Sequence, residues 1–566
     1  MKEKLVLAFG IAASLLFTAC GSGSQTDPDY LPFQSEEDGN WGMISTDGEV
    51  LFADEFDREP TMVYNDRFMV RNSDGLWEIY TAEEKPKQVG AAYKEAGVFY
   101  ENVAPVVEPG KCIELINKDG EVVKTLDKLA GRTVAKIRNF SNGLAVFTTD
   151  EDKEGVIDTD GDVVVEPIYY TISIGDEAIF AVEEKYRTAE FEKTEMVLLS
   201  LSGKEMSRIK LSKFTQITKS MKEGLIAAST GEGSDTKWGL IDKEGEWVLK
   251  PTSGVKGISE IQGKNFIYYD GNNYGLMNTD GEIIIRAKYD MMRFVSADRL
   301  AVAQLKSKGA ECRLIDLEGE KLGTDTYGNI YPFYHEGSYA VAQIDLHSYT
   351  FIDKEGKEKK NMDTNLYDIG TRDGDYIIES DYVDYEDIVS KLNISKSGLA
   401  GMKLTDDVTS IVHYIAGKTA MSEEPESYKY NSTISYDMSL GNVSADISVY
   451  FDENFVSPIK ETEEKSSFWG GYTYTVEKTV GYEFKSINPK RIEAYFKNIG
   501  KLSGKLTDLY QSLTTHISKM GKVAKKNEDA CLVECGDSIY VMTRITDYQI
   551  DLSLGYGDAT TVYFPE

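Results

Sequence analysis

Along the first two thirds of the chain, hydrophobic and polar positions recur in one phrase. An aromatic residue or Gly is followed by an aliphatic pair, Asp or Asn, a short charged stretch ending in Gly, and a β-branched run. Trp41-Gly42-Met43-Ile44-Ser45-Thr46-Asp47-Gly48 is one copy and Trp238-Gly239-Leu240-Ile241-Asp242-Lys243-Glu244-Gly245 is another. The turn glycines stand at 48, 120, 161, 203, 245, 281, 319 and 356, at intervals of 72, 41, 42, 42, 36, 38 and 37. Halving the first interval lands on Glu84, where residues 77–84 align with 41–48, so a ninth copy lacks its Gly. Each copy predicts two short strands and a tight hairpin, because the Gly supplies the positive φ of the turn. Between hairpins a second phrase recurs, as in Phe140-Ser141-Asn142-Gly143-Leu144-Ala145-Val146, and predicts a third strand per unit.

The two phrases together resemble the WG repeat family. Its Trp-Gly is complete at Trp41-Gly42 and Trp238-Gly239 and partial at Tyr274-Gly275 and Glu154-Gly155. The resemblance spans residues 36–360 and implies an all-β interaction module; it brings no catalytic residues with it. A period near 40 with three or four strands per copy implies β-propeller-like blades or a β-solenoid, since each unit buries its apolar face only against neighbours.

From about Asn361 the repeat stops. Residues 361–375 read as a polar linker and 376–566 as an α+β domain. Thr405-Asp406-Asp407 ahead of Val408, Ile411, Val412 and Ile415 predicts a capped amphipathic helix. Asn488-Pro489, followed by Ile492, Tyr495, Phe496, Ile499, Leu502, Leu506, Leu509, Leu513 and Ile517, predicts a longer one, with Gly500 and Gly504 as its weak points. Alternating stretches at 435–451 and 472–484 and a hairpin around Cys535-Gly536-Asp537 supply the strands.

The N-terminus fixes the expected compartment. Lys2 and Lys4 precede an apolar run from Leu5 to Phe17 that is too short to span a bilayer, so residues 1–19 read as a signal peptide. Thr18-Ala19-Cys20 before Gly21-Ser22 resembles the lipobox of bacterial lipoproteins. That resemblance implies acylation of Cys20, palmitate among the chains, and an extracytoplasmic lipoprotein of the cell envelope, at the outer membrane if the cell is a diderm. Residues 20–35 would then be the acylated Cys and a flexible tether.

Charge and composition narrow the function. The 566 residues carry 62 Lys plus Arg against 95 Asp plus Glu, a formal charge of −33, which excludes a phosphate-gripping nucleic-acid binder. Four His and five Cys leave few general bases or soft metal ligands. Asp150-Glu151-Asp152-Lys153-Glu154-Gly155 has the acid spacing of an EF-hand loop, yet its twelfth position is Gly161, so its acids read as turn residues. Ser207 with Lys210 and Ser457 with Lys460 match Ser-x-x-Lys, with no Lys-Thr-Gly partner. His413 and His516 fall on predicted helices, His335 and His347 among the repeats, and Cys112, Cys312, Cys531 and Cys535 read as free thiols. Trp41, Trp77 and Trp238 occupy one repeat position and are expected to pack between units; Trp247, Trp469 and the Tyr-rich stretch 472–484 are expected at the surface. The expectation is a non-enzymatic protein without cofactor or metal, anchored through Cys20, whose array binds another envelope protein. Glycan or peptidoglycan binding by the array, or a hydrolase in the C-terminal domain, are the alternatives.

Overall fold

The computed structural model describes residues 27–183, 195–306, 309–360, 362–371, 376–418, 432–440, 443–466 and 473–557. Cys20, the expected signal peptide before it and Trp469 lie outside the described residues. The chain divides into two compact units, one reaching Asp381 and one beginning at Tyr382.

The first unit is a propeller-like set of nine antiparallel sheets in chain order, one for each sequence copy. A complete blade has four strands, as in Thr171–Ile174, Ile179–Val182, Glu195–Leu199 and Glu205–Lys210. The second and third strands are nearly all buried because successive side chains point to opposite faces and each face meets a different blade. In the seventh blade, Phe266 and Met277 join the core with Ala227 and Leu240 of the sixth, while Ile267 and Leu276 join Leu300 and Val302 of the eighth. This double burial explains why these strands read as continuous apolar runs. The fourth strand is the rim strand of its blade and the most exposed, as in Ile283–Tyr289.

The turns before the rim strands follow one design. Gly161 N–H donates to Asp158 O at 2.9 Å, Gly161 has φ +74°, and Asp158 Oδ1 accepts from the N–H groups of Asp160 and Asp162. Such a turn, ending in a left-handed Gly, joins strands in a three-residue loop. The second copy, with Glu84 in place of Gly, has a longer loop closed by Thr81 N–H to Lys87 O at 2.9 Å.

The nine blades close into a cycle. Val341 and Phe351 of the ninth share a core with Leu31, Phe33 and Ile44 of the first. Strand Asp368–Ile369 completes the first blade by pairing with Tyr30–Gln34. Lys359 Nζ lies 2.6 Å from Glu49 Oε1 and donates to Asp47 O, and Asn365 donates to Ser35 O at 3.1 Å. Strand Ile377–Glu379 then pairs with Arg132–Arg138 of the fourth blade. The unit is therefore wider than residues 36–360. Tyr30–Gln34 belongs to the first blade rather than to a tether, and the expected linker at 361–375 contains the closing strand.

The second unit has a seven-stranded antiparallel sheet in the order Thr433–Leu440, Val443–Tyr450, Arg491–Lys497, Gln549–Tyr556, Ile539–Ile545, Ala530–Gly536, Lys522–Lys526. Helices Tyr385–Lys391, Val408–Lys418 and Leu506–Ile517 share a core with its apolar face. The α+β class holds. The long helix expected from Asn488 does not form as one element. Ile492, Ala494 and Phe496 are buried on one face of a central strand, and helix starts only at Leu506, after Gly500 and Gly504 at φ +57° and +72°. Strands Val456–Ser466 and Thr473–Phe484 form a separate two-stranded ribbon.

Candidate functional site

The first unit presents two repeating surfaces. Because every strand reverses the chain, the turns after the first and third strands of each blade share one face of the cycle. Contacts between the two families agree. Lys118, in a third-strand turn, lies 3.1 Å from Asp66 in the first-strand turn of the preceding blade, and Lys354 lies 2.9 Å from Glu336. Asp47, Glu121, Asp160, Glu244, Glu282 and Glu318 stand in the third-strand turns, so this face is strongly acidic.

The rim strands form the second surface. Three residues after the turn Gly stand Val123, 62 % exposed, Val248, 54 %, and Ile284, 39 %. Met206 holds the same position, and Val122 and Ile283 beside it are also exposed. One side of each rim strand is pinned by the next blade, whose turn Gly abuts it: a Cβ at Gly245 would meet Ile209, one at Gly281 Leu249, and one at Gly319 Ile285. The aliphatic residues left outside recur at blade spacing on the third, fifth, sixth and seventh blades.

The predicted positions are dispersed over this frame. Trp77 packs in the core between blades, with Arg71 4.3 Å over its ring, and Trp238 packs against the core of the sixth and seventh blades. Trp247, expected at the surface, is half-buried against Phe214 at 5.4 Å, because its strand faces the fifth blade. In the Tyr-rich ribbon, Thr475, Glu477, Lys478 and Thr479 are exposed; its tyrosine side chains lie outside the description. Asp150 and Asp152 sit in the turn before Glu154–Asp158, and Asp158 is engaged in its own turn. Ser207 and Lys210 lie three apart on a strand and so point to opposite faces; Ser207 Oγ donates to Lys243 O, and Lys460 pairs with Glu477 at 3.1 Å. His335 Nε2 lies 3.4 Å from Asp29, His347 stacks on Tyr367 at 4.8 Å, and His413 and His516 ride on helices. Cys112 Sγ lies 4.0 Å from Asp127 Oδ1; Cys312, Cys531 and Cys535 are free thiols, and burial pushes the Cys312 thiol up to about 11, away from nucleophilic use.

In the second unit, helices Tyr385–Lys391 and Leu506–Ile517 flank an open groove of about 730 Å³, lined by Tyr385, Glu386, Asp508, Gln511, His516 and Lys519 among others. Tyr385 Oη donates to Asp508 Oδ2 at 3.4 Å. The sequence offered no motif for this groove, since its residues come from two helices more than a hundred positions apart.

With the blades in place, the sequence comparisons can be set beside them. The model of the WG containing repeat matches residues 155–184, 238–252 and 274–308, so WG-type repeats run through the fourth to eighth blades. No curated protein matches the chain. Among solved structures, BamB from Moraxella catarrhalis aligns at 12 % identity over 53 % of this chain and 92 % of its own, with a TM-score of 0.29. Hsv2p from Kluyveromyces lactis aligns at 10 % identity, 60 % and 95 %, TM-score 0.25, and the C-terminal WD40 domain of Sif2 at 8 %, 58 % and 98 %, TM-score 0.27. Scores this low carry no argument about function.

Proposed function

We propose that this is a non-enzymatic, lipid-anchored envelope protein, held to a membrane through acyl chains on Cys20, whose repeat unit binds another envelope protein. The observation that carries the interaction reading is the recurrence of exposed Val123, Val248 and Ile284 at one position of the rim strands of the third, sixth and seventh blades. Isolated exposed aliphatics are ordinary, but a series at blade spacing gives a partner regularly placed apolar contacts. The acidic turn face beside them selects against acidic partners and steers basic ones.

In-cell crosslinking with mass spectrometry tests the surface. The triple substitution Val123→Asp, Val248→Asp, Ile284→Asp should abolish the main cross-linked partner while leaving the melting temperature nearly unchanged; an unchanged partner would refute the reading. Cys20→Ala tests the anchor: after a high-salt wash the variant should be soluble, and retention in the membrane pellet counts against acylation.

A further inference from the structure

On the sixth and seventh blades the outward side of the rim strand carries an ordered triad. Strand Trp247–Leu249 and its flanks expose Glu246, Val248 and Lys250, while Trp247 and Leu249 between them pack on the cores to either side. Strand Ile283–Tyr289 repeats the order: Glu282 just ahead of it, Ile284 and Arg286 are exposed, and Ile285 is buried. Each column therefore reads acid, aliphatic, base. At about 3.3 Å per residue, the acid and the base stand roughly 6–7 Å on either side of the aliphatic. Val248 and Ile284 sit where the rim strand shifts register against the third strand of its blade, as β-bulges do. A bulge blunts an edge against pairing with another strand, so whatever docks on this surface meets side chains.

The charges of both columns are open to a partner. Among the described residues Lys250 and Arg286 form no ion pair, and both are exposed. Glu246 is 70 % exposed although Lys213 Nζ lies 2.9 Å from it, and Glu282 is exposed with Asn278 Nδ2 donating to one of its oxygens at 3.0 Å. No acid stands between Glu246 and Glu260 or between Glu282 and Asp290, so the basic ends are not cancelled along their own strands. The rims of the third to fifth blades lack this order. The third carries Glu121, Val123 and Thr125, the fourth Asp162, Val164 and Glu166, and on the fifth Arg208 is held by Glu205 at 2.9 Å and by Glu183 at 3.1 Å.

A column ordered acid, aliphatic, base is its own complement once reversed. A two-fold axis lying across the strands at Val248 and Ile284 sets each column antiparallel to its counterpart in a second copy. Aliphatic then meets aliphatic, Glu246 faces the partner's Lys250, and Glu282 faces the partner's Arg286. Such an interface is isologous, since every contact is made twice. The net charge of −33 repels copies in general, but beyond a Debye length of about 8 Å it is largely screened, so a contact that matches charge locally is the one admitted. We propose that the rim of the sixth and seventh blades docks on the same rim of a second copy of this chain. This rests on reading the rim as an interaction surface and names its occupant there. Two strands a side make a small contact, which belongs to weak, reversible association.

Sedimentation velocity of residues 21–566, which contain every described element, tests this without the anchor. The parent should pass from monomer to dimer as its concentration rises from about 1 to about 100 μM, the range of a weak interface. Lys250→Glu with Arg286→Glu should weaken dimerisation at least about tenfold with an unchanged melting temperature, and so should Glu246→Lys with Glu282→Lys, because each sets like charges opposite one another. Mixed in equal amounts, the two charge-reversed proteins should dimerise with each other, since acid again meets base; a role confined to the fold of one copy gives no such rescue. A parent that stays monomeric, variants that dimerise as the parent does, or a mixture that stays monomeric overturns the proposal. The rim reading fails separately. If the parent is monomeric while the triple substitution still removes an in-cell cross-link, the rim binds a different protein and only the second copy is ruled out.

Discussion

The glycine of the Trp-Gly pair and the glycine of the turn are required for different reasons. Turn glycines such as Gly203 and Gly245 have φ near +78° and abut the rim strand of the preceding blade. Gly42, Gly155, Gly239 and Gly275 lie in central strands, where the space for a side chain is already filled. A Cβ at Gly239 would stand 2.3 Å from Leu249 O, and one at Gly275 2.5 Å from Ile285 O. Opposite Gly42, Gly155 and Gly275 in register sit Phe33, Phe147 and Tyr268, whose rings approach the missing Cβ. Gly239→Ala should therefore cost roughly 2–4 kcal/mol by forcing backbone apart. Gly75→Ala, at φ +79° with nothing within 4 Å, should cost only about 1–2 kcal/mol, the left-handed penalty. Urea melts of the two variants compare them, and equal losses would remove packing as the reason for the motif. The turn glycines were legible because Asp-Gly announces its backbone; the need for Gly239 was not, since it depends on a bulged neighbouring strand.

Elements were legible where one period dominates. Helix Val408–Lys418 follows its sequence pattern: Val408, Ile411, Val412 and Ile415 are buried, and Asp407 Oδ1 accepts from Ser410 N–H at 2.8 Å. That hydrogen bond holds the Asp407 carboxyl below the usual range. A depressed carboxyl contributes stability above its unfolded pKa of about 3.9, lost as pH falls through the lower folded value. Asp407→Ala should thus lower the melting temperature of the second unit at neutral pH, and the gap from the parent should close below about pH 4 when melts are followed by circular dichroism. The stretch from Ile492 was ambiguous because spacings of four and of two coincide on Ile492 and Phe496. Burial of Ala494 between them and pairing with Val443–Tyr450 and Gln549–Tyr556 made it a strand. The rim residues Val123, Val248 and Ile284 lay in plain view in the β-branched runs. Their exposure became clear only once each run was known to edge its sheet.

At the scale of the whole molecule, the repeat count was readable from glycine spacing, while closure was not, because a two-residue strand at Asp368–Ile369 leaves no periodic trace. Phe351 marks the junction: it is fully buried between the ninth and first blades, and a Cβ on Gly48 would stand 3.1 Å from its ring. Phe351→Ala should cost about 3–5 kcal/mol. The sharper expectation concerns place. Hydrogen exchange should accelerate in residues 30–56 and 339–359 together, far apart in sequence, and little in the fifth and sixth blades; uniform acceleration would count against a junction. Closure also sets an order in time. Tyr30–Gln34 is among the first strands synthesised, yet its Asp368–Ile369 neighbour arrives more than 300 residues later. Until then the first blade keeps an unsatisfied edge, and until the ninth blade is made its face toward Phe351 is uncovered as well. The first blade is completed only after all the others have been started, so folding of this unit must wait on its own tail, and a nascent chain cut short before residue 368 is left with an open seam.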